Sequence, residues 1–147
     1  MGSRAAEQWP VRLMVRTTIK NGKDQETFEL TTFGRYYEKG DQFFLQYEEM
    51  MEEGAIKSIV KVSKNETLIL RSGAINMRMA FQKNKVLQGR YETPFGTIEM
   101  ITHTKKLAHT LEERDKKGSI NIIYDLNMQG SHAGTYHMEM VFEEEKK

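Results

Sequence analysis

The sequence contains no cysteine, so disulfides, thiolate nucleophiles and cysteine-ligated metal centres are all excluded. It also has no apolar run that approaches the roughly 20 residues needed to span a bilayer as a helix. The first eight residues lack the apolar stretch of a secretory signal. We therefore expect a cytoplasmic protein, because a chain without cysteine fits a reducing compartment.

An excess of charge of either sign is also missing. The chain has 22 basic and 21 acidic residues, which gives a formal net charge of +1. A balance this close provides no long-range attraction to phosphate backbones or to anionic lipid. We therefore expect neither nucleic acid nor a membrane as a partner.

The length of 147 residues is enough for one domain with a substantial core. We expect residues 1–9 to form an N-terminal tail, whose Met1-Gly2-Ser3 start has the composition of a cloning remnant. Residues 10–143 are expected to form the domain itself. Residues 144–147, which are all charged, are expected to fray.

Apolar and polar residues alternate in about ten short segments along nearly the whole chain. In the first segment, Val11, Leu13 and Val15 alternate with Arg12 and Arg16. A period of two residues is typical of a strand that has one buried face and one exposed face. The sequence therefore predicts an all-β protein.

Short links rich in turn-forming residues separate these segments. Links of two to five residues favour sequential strands that are antiparallel neighbours. One open sheet of this size would expose two long edges, and closing the sheet removes them. We therefore predict a single antiparallel up-and-down β-barrel of about eight to ten strands. A β-sandwich is the alternative, although it normally needs longer crossovers.

Three local features allow sharper predictions. Asn21-Gly22 predicts a type I′ hairpin turn, because both residues tolerate a positive φ. Gly34, in the middle of a long strand segment, predicts a bulge or bend. The stretch Thr104–Arg114 has some helical spacing, but we favour a continuous strand that runs to the turn at Lys117-Gly118.

Seven of the ten methionines fall inside predicted strands. Methionine fills irregular apolar space and repacks easily. They could simply fill the core, or they could form the adaptable wall of a pocket for an apolar ligand. The seven are Met14, Met77, Met79, Met100, Met128, Met138 and Met140.

Motifs for chemistry are scarce. The four histidines have no metal-ligand spacing, and no serine lies in a Gly-x-Ser-x-Gly motif. The acidic run from Tyr47 to Glu53 lacks the spaced oxygen ligands and glycine of a calcium loop, and it is typical of a solvated strand end. We therefore predict no catalytic residue, no metal and no cofactor.

Five blocks of the sequence resemble the YwiB family of Bacillus-type bacteria, a small uncharacterised β-barrel group placed with the calycins. The blocks are Thr32–Tyr37, Tyr47–Glu49, Ile59–Gly73, Tyr91–Gly96 and Gly118–Leu126. The resemblance extends over nearly all of the chain after Val11. It implies a calycin-like barrel in the cytoplasm and implies no reaction, so no functional residue is carried over from it.

If the barrel binds a small apolar or amphipathic molecule, the ligand is expected to lie in the lumen or its mouth. Five residues share a strand face with apolar neighbours and are the candidate lining. They are Tyr47, Arg71, Met79, Tyr91 and Tyr124. The alternatives are a structural or interaction barrel with a packed interior, and an enzyme without a recognisable motif.

Arg71 has three competing interpretations, the simplest of which is plain exposure to solvent. It could cap one end of the barrel by stacking on an aromatic ring such as Trp9. It could instead lie in the lumen and pair with a ligand carboxylate.

Overall fold

The computed structural model describes residues 8–145. Within that range the regular secondary structure consists of β-strands alone. The ten strands are β1 Gln8–Asn21, β2 Asp24–Lys39, β3 Gln42–Met51, β4 Gly54–Val62, β5 Thr67–Gly73, β6 Asn76–Phe81, β7 Val86–Thr93, β8 Gly96–Glu112, β9 Lys117–Met128 and β10 Ser131–Glu144. The predicted all-β class is therefore confirmed. Residues 1–7 of the expected N-terminal tail lie outside the described residues. Its last two residues, Gln8 and Trp9, belong to β1. No helix that could cross a membrane is found in the described part of the chain.

The ten strands form one closed antiparallel barrel. Each strand pairs with the next along the chain, and β1 pairs with β10 to close the sheet. The closing ladder places Leu13 opposite Phe142 and Val15 opposite Met140. The up-and-down barrel is confirmed, and the sandwich alternative is wrong because the sheet has no break between two layers.

The alternation in the sequence gives the two faces of the barrel wall. Along β1, Val11 and Leu13 are fully buried in the lumen, while Arg12 and Arg16 are exposed on the outside. Burying one apolar face along all ten strands supplies the main stabilisation of a barrel.

The first hairpin differs from its predicted turn. Asn21 pairs directly with Asp24, so the two turn residues are Gly22 and Lys23. Gly22 has a φ of 64°, and Lys23 is not among the residues with positive φ. A positive φ at the first central position alone is the type II′ pattern, so the predicted type I′ turn is wrong in type and is displaced by one residue.

Gly34 does not mark a bulge. The β1–β2 ladder runs through it without a register shift, and the β2–β3 ladder begins there. A Cβ at position 34 would clash with the carbonyl oxygen of Gln46, so close approach of β3 explains the glycine. The register shifts lie instead in β8, between Thr104 and Lys106, and in β10. The predicted strand after Thr104 is confirmed as far as Glu112.

One end of the barrel is closed by stacked rings. We call this group of Trp9, Tyr36, Phe43 and Phe142 the aromatic plug. Tyr36 lies 4.1 Å from Trp9, 5.4 Å from Phe43 and 5.7 Å from Phe142, measured between ring centroids. All four side chains are buried. This end of the lumen is therefore packed.

Candidate functional site

The other half of the lumen is open. A cavity of about 270 Å³ lies there, towards the end that carries the β1–β2 and β5–β6 turns. Methionine is the commonest residue type in its wall, which contains Met77, Met79, Met100, Met128, Met138 and Met140. They are six of the seven strand methionines noted in the sequence. The seventh, Met14, is 45% exposed on the outside of the barrel.

All five candidate residues chosen from the sequence line this one cavity. Three of them lie in a single row across neighbouring strands, which we call the mouth row. In register order the row is Tyr47, Ser58, Arg71, Met77 and Tyr91. Residues paired in this way have Cβ atoms about 5 Å apart, so the row forms a continuous band across β3 to β7.

Met79 and Tyr124 lie deeper in the barrel. Met79 follows Met77 by two residues on β6, and so faces the lumen one layer further in. Tyr124 on β9 stacks on Tyr136 with 5.2 Å between the ring centroids, and its other neighbour is Phe81 at 4.7 Å. Tyr124 therefore belongs both to the cavity wall and to the core beneath it.

Arg71 forms an ion pair at the cavity mouth. Its Nη2 atom donates a hydrogen bond of 2.7 Å to Oε1 of Glu49, and the two side chains are only 29% and 19% exposed. The predicted stacking on Trp9 is wrong, because Trp9 stacks on Tyr36 and has Lys116 Nζ 5.1 Å from its ring. The interpretation of the acidic run as wholly solvated is also wrong at Glu49.

Burial controls the ionisation of the lumen tyrosines. Desolvation raises the pKa of Tyr47, and the positive charge of Arg71 partly opposes that rise. Desolvation also raises the pKa of Tyr124, and the neighbouring Tyr136 raises it further. The pKa of Tyr136 is raised by burial and by the charge of Glu26. These phenols are therefore neutral hydrogen-bonding groups at physiological pH.

These raised pKa values predict that the folded state becomes less stable at alkaline pH. An unfolded tyrosine titrates near pH 10, so above that pH the unfolded chain loses protons that the folded state keeps. The contribution of Tyr47, Tyr124 and Tyr136 is therefore intact below about pH 10 and falls as the pH rises above it. Urea unfolding at several pH values above about 10 measures how steeply the free energy of unfolding falls with pH. Tyr124→Phe should make the free energy of unfolding fall less steeply with pH. A fall as steep as that of wild type would contradict the raised pKa of Tyr124.

The wall chemistry suits noncovalent binding. Thioethers and aromatic rings offer adaptable apolar contact, and a few phenols with one guanidinium can orient a ligand. Among residues 8–145 no cluster of three or more His, Asp or Glu side chains is placed to hold a metal ion.

Sequence reasoning missed part of the wall and the partner of Arg71. Val15 on β1 and Tyr136 on β10 were not among the candidate lining residues, whereas Met138 and Met140 belong to the methionines considered as a pocket wall. Glu49 follows Tyr47 by two residues, so it shares the inward face of β3. That spacing is the signal that could have placed Glu49 at the mouth.

Comparison with known proteins gives consistent similarities. A family model described as a domain of unknown function, DUF1934, matches residues 13–140. The uncharacterised β-barrel protein YwiB of Bacillus subtilis (strain 168) is 34% identical over 137 residues, which cover 93% of this chain and 95% of the relative. The crystal structure of the ywiB protein from Bacillus subtilis matches with a TM-score of 0.87 and covers 97% of this chain and 96% of that one. The similarity thus extends over the whole barrel, from β1 to β10.

Proposed function

Because this chain belongs to the DUF1934 family of uncharacterised β-barrel proteins, the YwiB-like family that its sequence resembles, we propose a function from its own lumen. The protein is a binding module of calycin-like design that holds a small apolar or amphipathic molecule in the cavity. Its place of action is the cytoplasm, which the absence of cysteine fits.

The observation that carries this proposal is the methionine-lined cavity. Packed protein interiors contain few voids larger than a water molecule, so a volume of about 270 Å³ is unusual for a core. An apolar cavity of about 150 Å³ can hold benzene, so by proportion this one suits a ligand of about ten non-hydrogen atoms. Flexible methionine side chains can adjust to the shape of such a ligand.

The contrast between the two halves of the lumen favours binding over a purely structural role. Around the aromatic plug, Tyr36 and Phe142 are completely buried against other rings. A barrel that served only as a packed scaffold would gain stability from the same filling at the other end, because each void forfeits packing energy. The open half is therefore best explained by an occupant.

A substitution that fills the cavity tests the proposal. Met138→Trp places a larger side chain in the wall, and we expect binding of octanol, measured by calorimetry, to be lost. The unfolding midpoint should be retained or raised, because filling a void adds apolar contacts. Met14→Trp is the matched control, since Met14 is exposed on the outer face of β1 and should leave binding unchanged.

The natural occupant can be sought at the same time. Native mass spectrometry of wild-type protein purified from its own host should show an additional mass that is absent from Met138→Trp. The proposal fails if wild type carries no small molecule and binds no octanol, or if the filled variant binds as well as wild type does.

A further inference from the structure

We propose that the lumen ligand is an anionic amphiphile whose carboxylate or phosphate head lies in a groove outside the cavity mouth. We call this depression of about 330 Å³ the arginine groove, because Arg71, Arg78 and Arg90 line it. This inference rests on the proposed function and adds the chemical class of the ligand.

The groove and the cavity meet at one part of the barrel rim, where they share two lining residues. Arg71 and Met77 line both of them, although the cavity is inside the barrel and the rest of the groove is on its outer surface. The two residues face each other across the β5–β6 ladder, and they form its last pair before the turn. A ligand that fills the cavity and extends over the rim at this pair reaches the groove.

Positive charge is concentrated in the groove. Arg78 and Arg90 lie directly opposite each other in the β6–β7 ladder, and both are exposed. Like charges in this arrangement repel each other and weaken the ladder. That ladder is short, with only three residue pairs between Asn76–Arg78 and Arg90–Glu92. The chain therefore keeps an unfavourable pair at a weak point of the barrel wall.

The nearby carboxylates leave this charge only partly neutralised. Glu92 Oε1 lies 3.7 Å from Nε of Arg90, and Glu49 is paired with Arg71. Glu99 lies opposite Arg90 on β8, where it accepts a hydrogen bond from Gln88. Arg78 forms no ion pair with any residue in the range 8–145. An anion between Arg78 and Arg90 would satisfy the unpaired guanidinium and remove the repulsion between the two.

The two sites together define one ligand shape. The cavity takes an apolar body of about ten non-hydrogen atoms, and the arginines take a head with several acceptor oxygens. A free molecule with a short tail fits this description.

Calorimetry with octanol, octanoate, octyl phosphate and inorganic phosphate tests the inference. The octyl chain is common to the first three, so a difference among them reports the head alone. We expect wild type to bind octanoate and octyl phosphate more tightly than octanol, and inorganic phosphate only weakly. Arg78→Gln and Arg90→Gln should each weaken octyl phosphate binding about tenfold and leave octanol unchanged. Arg16→Gln, on the exposed face of β1, is the control and should change neither.

A second measurement needs no ligand. Removing one of two facing arginines relieves their repulsion, so Arg78→Gln should raise the melting temperature of the unliganded protein. A fall in that temperature would contradict the account of the groove.

The outcomes separate the two proposals. If octanol and octyl phosphate bind equally well and the arginine variants change neither, the inference is wrong and the binding function stands. If none of the octyl compounds binds to wild type, the binding function itself is wrong.

Discussion

Replacing Phe142 by alanine is expected to lower the free energy of unfolding by about 4 kcal/mol, as is typical for a fully buried phenylalanine. Phe142 is completely buried and lies 5.7 Å from Tyr36 and 5.9 Å from Phe43 between ring centroids. Its loss removes apolar contacts from the centre of the aromatic plug and leaves a cavity at the closed end of the barrel. Urea denaturation followed by circular dichroism measures the change.

Phe95→Ala provides the matched control for Phe142→Ala. Phe95 lies in the turn between β7 and β8 and is 99% exposed, so the same substitution there should leave the unfolding midpoint unchanged. Because the plug and the cavity occupy opposite halves of the lumen, Phe142→Ala should still bind octanol wherever it remains folded. If Phe142→Ala lowers the free energy of unfolding by less than about 1 kcal/mol, the aromatic plug does not hold this end of the barrel closed.

Arg71→Met is expected to lower the free energy of unfolding by about 1–3 kcal/mol. The substitution keeps most of the side-chain volume but leaves the carboxylate of Glu49 poorly solvated and without its partner. The double variant Arg71→Met/Glu49→Met removes both charges and should recover most of the loss, because apolar replacement of both partners is often neutral. Chemical denaturation of the two single variants and the double variant completes a thermodynamic cycle.

An exposed pair serves as the comparison for Arg71–Glu49. Arg12 and Glu143 are 4.0 Å apart with side chains 50% and 58% exposed, so Arg12→Met should change stability by only a few tenths of a kcal/mol. If Arg71→Met lowers the free energy of unfolding as little as Arg12→Met does, the Arg71–Glu49 ion pair contributes no more than an ordinary surface contact. If the double variant is no more stable than Arg71→Met, the unpaired Glu49 is not the cause of the loss.

The inward faces of the strands could be predicted because side chains alternate strictly along a strand. This is why Tyr47, Arg71, Met79, Tyr91 and Tyr124 all line one cavity, although they come from five different strands. The face of each strand was enough to select them. Their meeting in one half of the barrel follows from the turn lengths, which set the register between neighbouring strands.

The partner of Arg71 could not be predicted from alternation alone. Glu49 is 22 residues away in sequence and on a strand that is not adjacent, with β4 between them. A contact of this kind depends on the register of two ladders and on side-chain direction, neither of which leaves a local pattern. The bulge predicted at Gly34 is wrong for a similar reason, because the cause of the glycine is the carbonyl of Gln46 on another strand.

The ladder between β1 and β10 has a consequence for how the chain folds. Every other ladder joins consecutive strands, whereas this one joins residues as distant in sequence as Val11 and Glu144. Loop-closure entropy makes so long-range a contact slow to form, so hairpins can assemble into a curved open sheet before the seam closes. Val15 and Met138, on the two sides of that seam, both line the cavity. The cavity therefore exists only after the seam has formed, and an occupant of the lumen would slow its reopening.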